Sequence, residues 1–143
     1  MLLGTFEHSL DDKSRITIPS KLRNKLGDVI FVSKGIGNFL EIRTPDNFNK
    51  LLQELGHKSS FNASTRTIER LILSNSDELL VDSSGRIKIP TNLLEKIGVS
   101  KHVYILGLGD RLEIWDKVAY EKSLEDLNEN EIYAAAEKLG GEN

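Results

Sequence analysis

The chain states one nine-residue pattern twice. Asp11-Asp12-Lys13-Ser14-Arg15-Ile16-Thr17-Ile18-Pro19 and Asp82-Ser83-Ser84-Gly85-Arg86-Ile87-Lys88-Ile89-Pro90 carry Asp, Arg, Ile, Ile and Pro at identical internal spacing, and the likeness runs on into Leu22 and Leu26-Gly27 against Leu93 and Ile97-Gly98. An internal duplication of this kind dictates two equivalent units with one element order. It also displays one basic loop twice, which suits a partner that is itself repetitive, and nucleic acid is the commonest of these.

Within each copy the residues lay out the same elements. Ile16 and Ile18 alternate with Arg15 and Thr17, as Ile87 and Ile89 do with Arg86 and Lys88, which is the period of a half-buried strand. Pro19 and Pro90 stop those strands. Proline has no N–H to lose in a first helical turn, so each also opens a short helix with Leu22 and Leu26, or Leu93 and Ile97, on its buried face. Gly27 and Gly98 suit the left-handed position that ends such helices. An apolar strand follows, Val29 to Val32 or Val103 to Leu106. Paired glycines come next, Gly35 and Gly37 or Gly107 and Gly109, read as hairpin turns before the closing strands Phe39 to Ile42 and Leu112 to Trp115. Between the copies, Phe48, Leu51, Leu52 and Leu55 keep a helical period after Pro45-Asp46, and Ile68, Leu71 and Ile72 keep it again beyond a polar turn from His57 to Ser64. Helices near Val118 to Leu127 and through Ile132, Ala135, Ala136 and Leu139 trail the second copy, with a terminus expected to fray. The resulting division is a first half at 5–47, connecting helices at 48–75, a second half at 76–119 and a helical tail at 120–143.

With 143 residues and 38% hydrophobic content the chain has enough apolar material for one shared core. It has no cysteine, so a disulfide framework and a thiolate metal site are both excluded, in keeping with a reducing cytosol. No stretch approaches the roughly 18 to 20 apolar residues of a membrane span, and the N-terminal residues lack a signal pattern. The chain reads as soluble and cytoplasmic. A net charge of -3 does not advertise a nucleic-acid binder, but its distribution does. Lys13, Arg15, Lys21, Arg23 and Lys25 face only Asp11 and Asp12 in the first repeat, and Arg86, Lys88, Lys96 and Lys101 face only Asp82 and Glu95 in the second. From residue 116 onward, eight acids oppose three lysines. Positive charge is concentrated where the chain repeats, negative charge at its tail.

The doubled D-x-x-x-R-I-x-I-P-x-x-L motif, its copies about 70 residues apart with helices between, resembles the MraZ family, whose halves each resemble the AbrB/SpoVT-type swapped-hairpin DNA-binding domain. The resemblance runs from Leu2 to about Leu127. It implies an α+β fold with a mostly β core, a pseudo-twofold double swapped-hairpin barrel with flanking helices. It also implies a bacterial, nucleoid-associated transcriptional regulator that binds repeated boxes upstream of its own division and cell-wall gene cluster, and subunits joined in a homo-oligomeric ring of octamer-like size. Ser14 departs from the pattern, standing where the second copy has Gly85, so the first loop reaches a left-handed turn with a side chain that disfavours it.

On this reading Arg15 and Arg86 contact double-stranded DNA, because a guanidinium offers a planar fork to phosphate or to the O6/N7 edge of guanine. The competing account is a hairpin ion pair to Asp11 and Asp82, which gives no reason to build the loop twice. The two aspartates would repel phosphate and are read as orienting the loops. Lys13, Lys21, Arg23 and Lys88, with Lys25 and Lys96 behind them, form the basic face toward the DNA backbone. The isoleucines of both motifs are core. His8, His57 and His102 have no metal-ligand spacing, and each G-x-G pair lacks the third glycine of a nucleotide-binding loop, so no catalytic residue, metal site or cofactor is expected. The alternative to a regulator is an oligomeric scaffold or protein-interaction module built on the same fold.

Overall fold

The computed structural model describes residues 1–57 and 61–141; positions 58–60, inside the polar turn, and 142–143, at the terminus expected to fray, lie outside the described residues. The first copy contains β1 (Leu2–Ser9), β2 (Arg15–Thr17), α1 (Ser20–Leu26), β3 (Val29–Lys34), β4 (Phe39–Arg43) and α2 (Pro45–Gly56). After α3 (Ala63–Leu73), the second copy gives β5 (Ser76–Leu80), β6 (Arg86–Lys88), α4 (Thr91–Ile97), β7 (His102–Gly109), β8 (Leu112–Asp116) and α5 (Lys117–Glu125), and α6 (Glu129–Gly141) closes the chain. The longer helices start where a side chain satisfies their free amides. Thr44 accepts from the Asn47 amide ahead of Pro45, Asn62 from those of Ser64 and Thr65, and Asp116 from that of Ala119. No helix among the described residues is long and apolar enough to cross a membrane.

Six strands form one antiparallel sheet in the order β1-β7-β8-β4-β3-β5, and β2 pairs with β6 in a separate ribbon. Most of these pairings cross between the copies. β1 runs along β7 from Leu2↔Gly109 to Ser9↔His102, and its counterpart β5 runs along β3 from Val29↔Leu80 to Ser33↔Ser76. The two closing strands meet at the centre, with Leu40 opposite Ile114 and Ile42 opposite Leu112, and in the ribbon Ile16 faces Ile87. Bonds between loops repeat the exchange: Ile18 N–H donates to the Gly85 carbonyl and Ile89 N–H to that of Ser14. Neither half therefore owns a core. Ile16, Ile18 and Leu22 from one copy and Ile87, Ile89 and Leu93 from the other lie in one buried cluster with the inward faces of β3, β4, β7 and β8.

Three expectations change. Among the described residues no hydrogen-bond ladder joins β1 to β5, so the sheet is open and not a closed barrel; β2 and β6, only three residues each, bond to one another instead of closing it. Gly98 is left-handed at φ 69°, ψ 30°, but Gly27, at φ 78°, ψ -164°, turns straight into β3, because the first copy has a shorter connection after its helix. Gly107 is not a turn residue: it sits within β7 opposite Gly4, where a Cβ would lie 2.6 Å from the Leu3 amide nitrogen. The strands β1 and β5, which no alternation in the sequence revealed, are the sheet's edges. Only Leu2 of β1 is fully buried and none of β5 is, so neither carries a clean apolar face.

Candidate nucleic-acid interface

Each repeat loop is organised by its aspartate. Asp11 Oδ1 accepts from the amides of Lys13 and Arg15, both at 2.9 Å, and its Oδ2 accepts from Arg15 Nε at 2.7 Å. Asp82 does the same with the amides of Ser84 and Arg86 and with Arg86 Nε, all at 2.9 Å. These donors stabilise the ionised carboxylates, foremost the backbone amide of the arginine in each loop. The Asp11 carboxyl is thereby lowered to about 2, and that of Asp82 is lowered by the same contacts. Backbone bonds close both turns, Ser14 N–H to the Asp11 carbonyl and Gly85 N–H to the Asp82 carbonyl. Ser14 adopts φ 59° against 77° for Gly85, and it is the one non-glycine with positive φ among the described residues.

This arrangement settles what each guanidinium has left. Nε is taken up by the aspartate, and neither Nη of Arg15 or Arg86 donates a hydrogen bond to any described residue. The end-on Nη fork, the edge that binds a phosphate or guanine O6/N7 in two parallel bonds, is therefore held in a fixed direction and open. The side chains of the two arginines are 27% and 35% exposed, enough for a ligand to reach them.

Pairing of β2 with β6 then brings the loops together. Arg15 stands opposite Lys88 and Thr17 opposite Arg86, while Ile16 and Ile87 between them point into the core. Because side chains alternate along a strand and directly opposed residues share a face, Arg15, Thr17, Arg86 and Lys88 all lie on the outer face of one ribbon. Opposing an arginine to a lysine weakens a sheet, and within the fold Asp11 offsets the charge of Arg15 through its bond to Nε. Lys13, at the first loop tip, and Lys21, on α1, are exposed, and Lys21 lines a surface pocket with Thr17 of the ribbon. Arg23 is not: it is half-buried and its Nε donates to the Ile18 carbonyl at 3.0 Å. Lys25 and Lys96 are likewise engaged, with the Met1 carbonyl and the Asn75 side chain. The Arg15–Lys88 and Thr17–Arg86 oppositions were not foreseen from the sequence. The signal was present in the motif itself, since two identical strands with an Ile at their midpoint pair symmetrically about that residue.

His8 lines an open surface pocket together with Thr17, Lys21 and Arg23. His102 Nδ1 is 3.0 Å from Ser9 Oγ, and partial burial lowers the pKa of His8. No group of three or more His, Asp or Glu among the described residues is placed to hold a metal ion.

The chain is similar to known proteins over nearly its whole length. Residues 1–71 and 72–142 each match the family model described as MraZ protein, putative antitoxin-like. Over 140 residues the chain is 47% identical to the Transcriptional regulator MraZ of Mesoplasma florum, covering 97% of this chain and 95% of that protein. The protein of the same name from Mycoplasma capricolum is 46% identical over 89% of this chain and 96% of its own, and that of Alkaliphilus oremlandii is 37% identical over 98% and 99%.

Proposed function

The chain belongs to the MraZ family, and from that premise we propose that it is a transcriptional regulator that binds double-stranded DNA through the outer face of the β2–β6 ribbon. The observation that carries this reading is the ribbon itself. Two aspartate-held arginines and Lys88 share one solvent-facing surface of a protein whose net charge is -3, with Arg15 set against Lys88 at a cost to the sheet. Anionic phosphates between those side chains relieve the repulsion.

In this mechanism Arg15 and Arg86 direct their Nη forks at base edges or phosphates, while Lys13, Lys21 and Lys88 hold the backbone and supply most of the salt-sensitive affinity. Asp11 and Asp82 touch no DNA. They fix the arginines before binding, which lowers the ordering cost on association. The halves 5–47 and 76–119 act as one interleaved swapped-hairpin unit, a reading supported by the pairing of β1 with β7 and of β5 with β3 within one shared sheet. The targets are repeated boxes upstream of the chain's own division and cell-wall gene cluster, and the site of action is the cytoplasm, at the nucleoid.

Assembly into a ring lets neighbouring subunits engage successive boxes, each bound box raising the effective concentration at the next. Support for a homo-oligomer comes from the tail. Every described residue of α6 is exposed, including Ile132, Tyr133 and Leu139, and a 13-residue helix that buries none of its apolar side chains is marginal in water. Its apolar stripe is flanked by Glu129, Glu131 and Glu137. An open groove lined by Ile36, Ile68, Leu71 and Ile72, with Lys34 and Lys96 also in its walls, offers a second copy of this chain the complementary surface.

The test is a binding titration of a labelled duplex from the upstream region. Arg15→Ala and Arg86→Ala are each expected to cost ~1–3 kcal/mol per engaged site and to relax sequence preference, whereas Lys21→Ala weakens all sequences alike. Unchanged binding in both arginine variants would overturn the assignment.

A further inference from the structure

The two arginine loops have nearly the same backbone yet differ at one position, serine in the first and glycine in the second. A positive φ of 77° strains any side chain at position 85, but conformation alone does not account for the difference. Ser14 shows that a side chain is tolerated at this φ in this turn, and Gly85 requires only a similar value. Surroundings do account for it. A Cβ built on Gly85 would lie 2.3 Å from Nε and 2.5 Å from Cζ of Arg23, and 2.9 Å from its Cδ, so the Arg23 side chain occupies the volume that a serine would need. Gly85 is buried beneath it. Arg23 is kept there by its Nε bond to the carbonyl of Ile18, whose own amide donates to the Gly85 carbonyl at 2.8 Å. The guanidinium therefore spans α1, the end of β2 and the loop that carries Arg86. Four residues after the motif proline the second copy has Leu94 where the first has Arg23, and Leu94 is buried in the core. The strut exists on one side only.

We infer that Arg23 is a positioning residue for the second loop and not one of the phosphate-binding cations: its guanidinium braces Gly85, fixes the direction of Arg86, and makes the two arginine loops unequal. The inference rests on the DNA-binding reading for its consequence and on the Gly85–Arg23 packing for its cause. The cause alone predicts that Gly85 is required by Arg23. A side chain at position 85 displaces the guanidinium, breaks the Ile18 link and loosens the Arg86 loop, whereas Ser14 meets no such strut.

The experiment is a double-mutant cycle read by DNA affinity, thermal unfolding and amide exchange on the full chain. Gly85→Ser is expected to weaken DNA binding about ten-fold in the parent but less than about two-fold in an Arg23→Ala background, with a matching coupling in the melting temperature. Ser14→Gly is expected to bind within about two-fold of the parent. Arg23→Lys separates positioning from charge: lysine keeps the cation but lacks the planar Nε donor, so a positioning role predicts binding as weak as in Arg23→Ala and a phosphate contact predicts retained binding. Additive effects of Gly85→Ser and Arg23→Ala, or a fully active Arg23→Lys, would overturn the inference. Coupling in the melting temperature and in Gly85 and Arg86 amide exchange, together with a parent that binds no DNA, would instead leave the strut standing and overturn the DNA-binding reading. If Gly85→Ser fails to fold, Arg23→Lys and Arg23→Ala decide the question alone.

Discussion

Lys88→Glu is expected to make this protein more stable and worse at its function. In the ribbon Lys88 faces Arg15 directly, and the Nη fork of Arg15 is uncommitted because Asp11 engages only Nε. Directly opposed cross-strand pairs are worth ~0.2–1 kcal/mol, unfavourable for like charges and favourable for opposite ones. Replacing the ammonium by a carboxylate removes a repulsion and adds an attraction, and after solvent screening the net gain is ~0.5–1 kcal/mol. For a domain of this size that raises the melting temperature by about 2–4 °C. DNA binding moves the other way. One phosphate contact contributes a salt slope of about 0.9, so at ~0.15 M salt its loss costs roughly five-fold in affinity per engaged subunit, and a carboxylate facing phosphate adds to that. The assay is thermal unfolding followed by circular dichroism, beside anisotropy titrations of a labelled duplex between ~0.05 and ~0.3 M salt, where the log–log slope should become shallower by about 1. A melting temperature that falls, or an affinity and slope that stay at parental values, would refute the argument that Lys88 is placed for DNA at the expense of the sheet.

Gly107→Ala should separate β1 from β7, because the new Cβ meets the Leu3 backbone, which has no side-chain freedom with which to yield; a loss of ~1–3 kcal/mol in denaturant unfolding is expected, with β1 amides exchanging first. The folded pKa of Asp11 lies at about 2, below its unfolded value of 3.8, so its contribution is fully present above pH 3.8 and is lost as pH falls toward about 2. A carbon-detected NMR titration should therefore place the Asp11 midpoint near 2, with Lys13 and Arg15 amide shifts moving over the same window, and a midpoint near 4 would mean that the loop is not held by that carboxylate. Ile132→Asp combined with Leu139→Asp is expected to reduce the assembled mass in light scattering while leaving the circular dichroism of the sheet intact. An unchanged mass would remove α6 from the interface.

The helices and the motif strands were legible because their periods are unambiguous. Leu22/Leu26 and Leu93/Ile97 sit four apart behind prolines, and each alternating Ile pair lies in the core, as its period requires. Ser14 was legible for a different reason, since a residue standing where its counterpart is glycine announces a left-handed turn through the repeat alone. What stayed hidden was everything that depends on one copy meeting the other. β1 and β5 bury too little of their own surface to show a period, because they are edges whose partners come from the opposite half. Gly107 read as a turn because only the approach of β1 explains it. The same blindness affected the site. Composition counted Arg23 among the basic residues, but its partner, Gly85, is more than 60 positions away in the sequence and reaches it only through the exchange of strands. The aspartate–arginine bonds, by contrast, are local at four residues' separation, and the spacing of the motif suffices to place them.

Footprinting on the chain's own upstream region reports whether the arginines on the β2–β6 ribbon read DNA. Parent protein should protect regularly spaced boxes, and the Arg15→Ala/Arg86→Ala double variant, folded to the same melting temperature within a few degrees, should protect none at the same concentration. Equal protection by the two proteins, or no protection by the parent at low salt, would contradict that reading.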